Sequence, residues 1–219
     1  MSRNDKAAIQ QLGLDLESAV NQREPIYNLC PMMRAPVVFQ GERDLEIHAF
    51  KWGLMPSWAK DTKDASKRIN AKVETVTKLP SYRVAFKKRR CLVPMSAYYE
   101  WKGDKPPKQP YLIHKTDNTL LMAAGLWEVW KDPKDPGAEW LRTFTVITGE
   151  PGKVSGDIHD RQPVFLPSDR WEHWLLGTPE EAEQAIRDVP EPDLTYFPIS
   201  KAINNPRNQG PELIQEVTL

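Results

Sequence analysis

The sequence predicts an α+β fold in a single domain that spans residues 1–219. The length supports one domain, because 219 residues are enough to bury a sizeable core. Short apolar runs alternate with polar residues and end at proline, glycine or aspartate, which is typical of a sheet of short strands. Several other segments carry helical spacing or helix caps. We therefore expect a sheet flanked by short helices.

The first half of the chain predicts a helix, a hairpin and an aromatic loop. Residues 6–20 place apolar side chains three and four positions apart, which predicts a short amphipathic helix. Residues 36–40 and 45–50 have the character of two hairpin strands. Residues 52–58 hold too many ring and breaker residues for a regular element, so we expect an ordered loop with exposed aromatic faces. Two short helices are expected before the basic cluster at 87–90.

The second half predicts further strands, two capped helices and an irregular tail. Beyond a short apolar strand that precedes Glu100, strands are expected at 110–114, 120–126 and 142–148. Ser168 and Thr178 are predicted N-caps of two helices, the second running to residue 188. The tail from 196 to 213 is rich in Asn and Pro and predicts no regular element.

Composition narrows the classes of partner and compartment. Thirty basic and thirty acidic residues cancel, so contact with nucleic acid requires a local basic face. The longest near-apolar run, 120–127, is too short to cross a bilayer, and the first 15 residues contain no secretory apolar region. Two cysteines without a CxxC motif indicate neither a zinc ribbon nor a disulfide framework. We expect a cytoplasmic protein that uses no membrane, metal or cofactor.

Glu100 is the first candidate for chemistry, because it stands between the rings of Tyr99 and Trp101 just after an apolar strand. Apolar walls disfavour the ionised carboxyl and raise its pKa, which keeps a proton available for general acid catalysis near neutral pH. The alternative is a half-buried strand in which Tyr98 and Glu100 point one way, Tyr99 and Trp101 point the other, and Glu100 is only salt-bridged.

His159 is the second candidate, and it is the best base or proton carrier among four histidines. Asp157, Asp160 and Arg161 surround it in sequence, and a neighbouring carboxylate can orient an imidazole and set its tautomer. The alternative is a histidine with a purely structural role.

The loop at 52–58 and the charges after it suggest contact with single-stranded nucleic acid. Aromatic rings offer stacking surfaces, and the following cations neutralise phosphates; these cations are Lys60, Lys63, Lys67 and Arg68. The alternatives are a hydrophobic plug and a solvated charge run. Asn70, just beyond, is interpreted from the residues alone as a helix N-cap.

Six segments occur in the order and approximate spacing of one known family. They are Tyr27-Asn28 with Pro31, Trp52-Gly53-Leu54 with Pro56 and Trp58, Ile69-Asn70-Ala71-Lys72-Val73-Glu74-Thr75, Arg90-Cys91-Leu92-Val93-Pro94, Tyr99-Glu100-Trp101 and Ile158-His159-Asp160-Arg161. With them the chain resembles the SOS response-associated peptidase (SRAP) family over most of its length. Each motif alone is weak, but six in register are a specific signal.

The resemblance implies an α+β domain with a mixed, mostly antiparallel, barrel-like sheet that binds single-stranded DNA and captures abasic sites. It implies that Glu100 protonates the sugar oxygen during ring opening, His159 moves protons at an imine, and Asn70 holds the lesion by hydrogen bonds. The implied DNA-binding residues are Asn28, Pro31, Trp52, Trp58, Lys72 and Arg161. Lys72 stands where the family commonly has arginine, so a phosphate partner is kept but a bidentate fork is lost. A monomer is expected.

The nucleophile is where this sequence departs from the family pattern. In the family, a cysteine directly after the initiator Met attacks the sugar aldehyde with its α-amine, and its thiol closes a thiazolidine. An α-amine titrates near ~8, so a useful fraction is nucleophilic at physiological pH. This sequence begins Met1-Ser2, so either the natural start lies upstream or the chain is a divergent member without the nucleophile. With Ser2 at the terminus, we expect a reversible imine and strand scission by β-elimination.

Two other functions are compatible with the sequence. A cysteine hydrolase would use Cys91 or Cys30 with His159, although Cys91 in an apolar strand is expected to be a buried, inert thiol. A non-catalytic binder of single-stranded DNA would keep the basic and aromatic groove and show no preference for abasic DNA. The word peptidase in the family name refers to removal of residues ahead of the cysteine, not to general proteolysis.

Overall fold

A closed sheet of five strands forms the centre of this computed structural model, which describes residues 24–219. The strands are β1 (Arg34–Gln40), β2 (Leu45–Trp52), β4 (Arg90–Met95), β7 (Leu121–Trp130) and β8 (Leu141–Gly149). Neighbours pair antiparallel in the order β2, β1, β4, β7, β8, and a parallel pairing of β2 with β8 closes the ring. The predicted mixed, mostly antiparallel barrel is confirmed. The helix predicted over 6–20 lies outside the described residues.

Two short strands extend the barrel at β8, and three others form a second sheet. β3 (Asn70–Lys72) runs parallel to β8, and β9 (Gln162–Pro163) runs antiparallel to it. The second sheet is antiparallel, with β6 (Gln109–Lys115) between β5 (Ala97–Lys102) and β10 (Leu194–Pro198).

The prediction of an irregular tail was wrong at its start, because Leu194–Pro198 pairs along its whole length with β6. Five residues that end in a proline carry too little alternation to identify a strand. The hydrogen-bonding edge of β6 decides the conformation of this segment.

In the part of the chain that the structure describes, four short α-helices lie outside the sheets. They are α1 (Arg83–Lys88), α2 (Lys153–Gly156), α3 (Trp171–Leu175) and α4 (Pro179–Ala185). Turns of 3₁₀ helix cover Ala65–Arg68, Ser168–Arg170, Lys201–Asn204 and Pro211–Ile214. Before the basic cluster the structure has one helix, α1, and not the two expected.

One of the two predicted helix caps is confirmed. The Thr178 hydroxyl accepts a hydrogen bond from the Glu181 N–H, and the Glu181 carboxylate accepts one from the Thr178 N–H, which completes a capping box on α4. The predicted cap at Ser168 is wrong, because Ser168 is the first residue of a 3₁₀ turn and makes no capping hydrogen bond.

The two faces of the barrel strands pack against different neighbours. One face joins residues of the second sheet in a shared core, which includes Val37, Phe39, Phe50, Tyr98 and Ile113. The other face joins the helices in a second core, which includes Val38, Leu92, Leu126, Trp171 and Trp174. Side chains alternate between the two faces of each strand. The second sheet therefore packs on the barrel through the face of β5 that carries Tyr98.

Candidate active site

The two faces of β5 have different surroundings. Tyr98 packs in the core shared with the barrel, whereas Tyr99 and Trp101 pack against the C-terminal segment. The Tyr99 hydroxyl donates to the Tyr27 carbonyl at 2.5 Å. Because side chains alternate along a strand, Glu100 shares the face of Tyr98. The predicted half-buried strand is confirmed, and it aims Glu100 toward the barrel side.

Burial changes the acidity of Glu100. Its side chain is 22% exposed, and loss of water raises its pKa to about 7, with a further increase from Asp160 and opposing decreases from His159 and Lys108. Within the described chain the basic side chain in contact with it is His159, whose Nδ1 lies 4.0 Å from the Glu100 Oε2. A simple salt bridge therefore does not describe Glu100, which retains a proton near neutral pH.

His159 lies between α2 and β9, where its Nδ1 faces three polar groups. The Arg161 N–H donates a hydrogen bond to Nδ1 at 3.1 Å. Asp160 Oδ1 lies 3.1 Å from the same nitrogen, and Glu100 Oε2 lies 4.0 Å from it. An unprotonated Nδ1 accepts from the Arg161 N–H, whereas a protonated Nδ1 donates to Asp160 Oδ1, so the two contacts suit different protonation states of this nitrogen. In the unprotonated state Nδ1 is an acceptor for the Glu100 proton once the 4.0 Å separation closes.

A buried serine connects the His159 segment to the strand that carries Glu100. The Tyr98 hydroxyl and the Ser155 Oγ are 2.7 Å apart. The Ser155 carbonyl accepts from the N–H of His159 at 3.0 Å. The Ser155 N–H donates to Glu191 Oε1 at 3.1 Å, and the Val154 N–H donates to Oε2. These bonds hold His159 opposite Glu100, and neither Ser155 nor Glu191 was singled out from the sequence.

Asn70 and Lys72 lie on the exposed face of β3, whereas Ala71 between them is buried. Asn70 pairs with Val146 and Lys72 with Thr148, both on β8. The interpretation of Asn70 as a helix N-cap is therefore wrong, since its backbone belongs to a parallel strand. Both side chains are available to solvent on one edge of the barrel.

Arg161 links the His159 segment to the segment after β3. Its guanidinium donates two hydrogen bonds to the Glu74 carboxylate, at 2.6 and 3.0 Å, and one to the Thr148 carbonyl at 2.6 Å. The same contact holds the pKa of Glu74 below its usual value. Arg161 was predicted to contact DNA, but its guanidinium is largely engaged within the protein.

The aromatic residues predicted to contact DNA have different exposures. Trp52 is half-buried and donates from Nε1 to the Ile69 carbonyl at 2.9 Å, next to Asn70. Trp58 is 59% exposed. Pro31 is exposed in a turn whose next residue, Met32, donates from its N–H to the Trp52 carbonyl at 2.8 Å. Pro31 and Trp52 are therefore neighbours, and Trp58 presents a free ring.

The loop after β2 combines a buried stretch with the exposed ring. Leu54 and Met55 are fully buried, so this part of the loop is a hydrophobic plug, the alternative to a nucleic-acid contact. The nearby cations are partly neutralised, because Lys67 lies 2.9 Å from Asp64 and Lys63 lies 3.8 Å from Asp61.

A model of the family described as SOS response associated peptidase (SRAP) matches residues 1–206. The chain belongs to the SRAP family. It is 33% identical over 211 residues to the abasic site processing protein YoqW of Bacillus subtilis, which covers 94% of this chain and 93% of the relative. It is also 33% identical over 227 residues to the abasic site processing protein HMCES of Xenopus tropicalis, which covers 90% of this chain and 67% of the relative.

Two crystal structures share the fold of this SRAP chain. One, of a protein from Bacteroides thetaiotaomicron, matches with a TM-score of 0.73 at 27% identity and covers 85% of this chain and 82% of that chain. The other, of a phage-related protein from Bordetella bronchiseptica, matches with a TM-score of 0.63 at 28% identity over 79% and 81% of the two chains. The α+β fold is thus common to these proteins.

Asn28 of this SRAP chain was predicted to contact DNA, and its side-chain amide is engaged within the protein. The residue is 5% exposed. Its side-chain amide donates to the carbonyls of Ile203, Asn205 and Asn208 at 3.0 to 3.3 Å. It also lies with Tyr27 and the C-terminal segment, on the side of β5 opposite Glu100. Asn28 therefore fastens the C-terminal segment and has no donor to spare for a ligand.

The cysteines of this SRAP chain do not fit the hydrolase alternative. Cys91 is fully buried, and burial raises the pKa of its thiol well above the usual value. Cys30 is half-buried, its pKa is also raised by burial, and its Sγ donates to Asn28 Oδ1 at 3.5 Å. A nucleophilic cysteine needs a stabilised thiolate and access to substrate. Neither residue meets both requirements.

Within residues 24–219 no cluster of three or more His, Cys, Asp or Glu side chains is arranged to hold a metal ion. None of the helices in the same range has the length and apolar character needed to cross a bilayer.

Proposed function

We propose that this chain binds single-stranded DNA at abasic sites and captures the ring-opened sugar as an imine. The observation that carries the proposal is the pair formed by Glu100 and His159. A carboxyl with a pKa of about 7 stands 4.0 Å from an imidazole nitrogen, and such a pair can supply and recover a proton at neutral pH. The names of the SRAP relatives, which are abasic site processing proteins, support the choice of substrate.

Ring opening is the step that needs an acid. In the closed sugar, C1′ is bonded to the ring oxygen O4′ and to a hydroxyl group. The Glu100 carboxyl donates its proton to O4′ as the C1′–O4′ bond breaks. The C1′ hydroxyl then loses its proton and becomes the aldehyde carbonyl, and that proton restores the carboxyl. The raised pKa keeps the acid form populated near neutral pH.

Imine formation is the step that needs a proton carrier. An α-amine attacks the aldehyde carbon, and the carbinolamine loses its hydroxyl as water when a proton is delivered to it. His159 exchanges protons with Glu100 through Nδ1, the nitrogen that faces the carboxyl. The proposed nucleophile is the α-amine of the amino terminus, carried by Ser2 or by an upstream cysteine, and it lies outside the described residues. A cysteine would close a thiazolidine, whereas Ser2 would leave a reversible imine.

The DNA contacts follow from which side chains are exposed. Lys72, exposed on β3, has no ion-pair partner within residues 24–219 and is assigned to a phosphate. Asn70, on the same face, is assigned to the sugar of the lesion. Trp58 and the neighbouring pair Pro31 and Trp52 are assigned to the bases. Arg161 acts through Glu74, by holding the segment after β3.

The test uses a single-stranded oligonucleotide with one abasic site, incubated with and without borohydride and resolved on a denaturing gel. We expect a borohydride-trapped protein–DNA band with abasic DNA and no band with intact DNA. Glu100→Gln should reduce the rate of band formation, whereas Glu139→Gln, at an exposed carboxylate in the loop between β7 and β8, should not.

Two outcomes count against parts of the proposal. Equal affinity for abasic and intact DNA with no trapped band overturns the function and favours the non-catalytic binder. A band that survives heat without borohydride, in protein verified by mass to begin at Ser2, contradicts the reversible imine alone.

A further inference from the structure

Glu100 has an aromatic neighbour on the same face of the second sheet. Strand pairing places Glu100 directly opposite Tyr111, and side chains that face each other across an antiparallel pair have Cβ atoms about 5 Å apart. Tyr196 lies opposite Ile113, the next residue of β6 on that face. Lys102 follows Glu100 on the same face of β5. An acid, two tyrosines and a lysine thus share one surface.

The two tyrosine rings form a fixed unit. Their centroids are 5.6 Å apart and their planes are at 85°, a T-shaped arrangement. The Tyr196 hydroxyl donates to Asp157 Oδ2 at 3.4 Å, and both rings pack against the core that contains Ile113. Both remain half-exposed. A ring held in this way offers a stacking surface at a low cost in side-chain entropy.

Positive charge lies at one end of this surface. Lys102, Lys105 and Lys108 are exposed at the end of β5 and in the loop before β6, where Asp104 is the single acid. Within residues 24–219 none of the three lysines forms an ion pair. Lys108 is close enough to lower the pKa of Glu100. At the other end, Asp157 and Asp160 make the surface acidic, so a phosphate chain fits the lysine end.

We propose that Tyr111 and Tyr196, with Lys102 and Lys108, form a subsite for the nucleotide next to the lesion. The neighbouring base stacks on Tyr111, Tyr196 supports that ring, and the two lysines neutralise the adjoining phosphate. Partly exposed rings beside unpaired cations suit single-stranded DNA, because every base has a π-face and every nucleotide a phosphate. This inference rests on the proposed function, since a lesion sugar bound at Glu100 determines which nucleotide of the DNA reaches Tyr111.

The test measures affinity by fluorescence anisotropy with a stable tetrahydrofuran analogue of the abasic site, which forms no imine. One oligonucleotide keeps both bases next to the analogue, and two others lack the base on one side or the other. With the complete oligonucleotide, Tyr111→Ala should weaken binding about ten-fold, the size of one lost base stack. With the oligonucleotide that lacks the stacked base, Tyr111→Ala should have no further effect.

Three variants serve as controls for the role of the Tyr111 ring. Tyr111→Phe keeps the ring and should bind like the native protein. Tyr111→Leu keeps apolar packing without the ring, and it should lose affinity while thermal unfolding shows a native fold. Trp140→Ala removes an exposed ring just before β8 and should change nothing. Equal losses with all oligonucleotides, or no loss for Tyr111→Ala and Tyr111→Leu, overturns the subsite.

The lysines have a separate readout. Replacing Lys102 and Lys108 by alanine should reduce the slope of log affinity against log salt by roughly 0.7 for each phosphate that is no longer neutralised. Lys134→Ala, in an exposed loop, is the matched control; an unchanged slope in the double variant contradicts the phosphate contact. Failure of the proposed function is distinguishable, because the native protein would then bind the analogue and intact DNA equally. Failure of the subsite alone leaves that preference intact.

Discussion

The guanidinium of Arg161 and the carboxylate of Glu74 form a two-point ion pair, at 2.6 and 3.0 Å, between residues 87 positions apart in sequence. The backbone N–H of Arg161 also donates to His159 Nδ1 at 3.1 Å. One residue therefore orients the imidazole through its backbone and holds the segment after Asn70 and Lys72 through its side chain.

This pair leads to a prediction for Glu74→Gln. The variant weakens the two-point contact, so the segment after β3 becomes less well held, and we expect the rate of imine trapping to fall several-fold. Affinity for the tetrahydrofuran analogue should change little, because Arg161 is a positioning residue. Tighter binding of DNA by Glu74→Gln would instead mean that a freed Arg161 contacts phosphate. Glu183→Gln, which weakens an exposed contact to Arg187 on the α4 side of the molecule, is the matched control.

The pH dependence of trapping should report Glu100. Its pKa of about 7 predicts that the acid-dependent step slows as pH rises above about 7, where the carboxyl loses its proton. Glu100→Gln should lower the rate by roughly 100-fold or more, the usual contribution of a general acid, and should remove this limb of the profile. Single-turnover trapping between pH 5 and 9 measures it. If Glu100→Gln shows the same decrease in trapping rate above about pH 7, a group other than Glu100 causes that decrease.

The Glu100 carboxyl should also make the free energy of unfolding depend on pH. Its folded-state pKa is raised above the ordinary value of 4.5, so the unfolded chain releases this proton at lower pH than the folded protein does. Stability from Glu100 should therefore decline as pH rises from about 4.5 to 7. Denaturant unfolding across this range should show a smaller decline for Glu100→Gln than for the native protein, and identical curves would contradict the raised pKa.

The hydrogen bond between Tyr98 and Ser155 predicts a positioning effect. Tyr98→Phe leaves the buried Ser155 hydroxyl without this partner, so we expect a loss of about 1–2 kcal/mol in unfolding free energy. Because the bond joins the His159 segment to β5, the pH profile of trapping should also shift. Tyr99→Phe removes a hydroxyl on the opposite face, where it donates to Tyr27. That control should lower stability and leave the pH profile unchanged; equal behaviour of the two variants would limit Tyr98 to a structural role.

Asn28 should matter for stability and not for DNA. Asn28→Ala removes the donor to three carbonyls, and we expect a loss of roughly 2–3 kcal/mol in unfolding free energy. Well below its unfolding temperature, the folded variant should bind abasic single-stranded DNA with native affinity and native salt dependence. A selective loss of affinity at unchanged stability would restore Asn28 to the DNA contacts.

Local pattern was a good guide to the elements with clear periodicity. The hairpin strands, the three strands expected between 110 and 148, the N-cap at Thr178 and the two-sided strand around Glu100 are all present. The Ser168 cap is not formed, because the turn begins at Ser168 itself. The sequence did not predict β10, because that strand depends on pairing with β6, which is distant in sequence. The barrel closure expected from the family resemblance is present in the pairing of β2 with β8.

The sequence by itself determined the barrel strands, the raised pKa expected of Glu100 between aromatic residues, and membership of a family through six motifs in register. Only the tertiary structure decided that Nδ1 of His159 faces that carboxyl and that Arg161 pairs with Glu74. It also decided that the Asn28 amide is hydrogen-bonded to the C-terminal segment and that Tyr111 lies opposite Glu100. The physical reason is that periodicity and capping involve residues within a few positions of each other, whereas a hydrogen-bond partner is chosen by which strands pair and how two sheets pack.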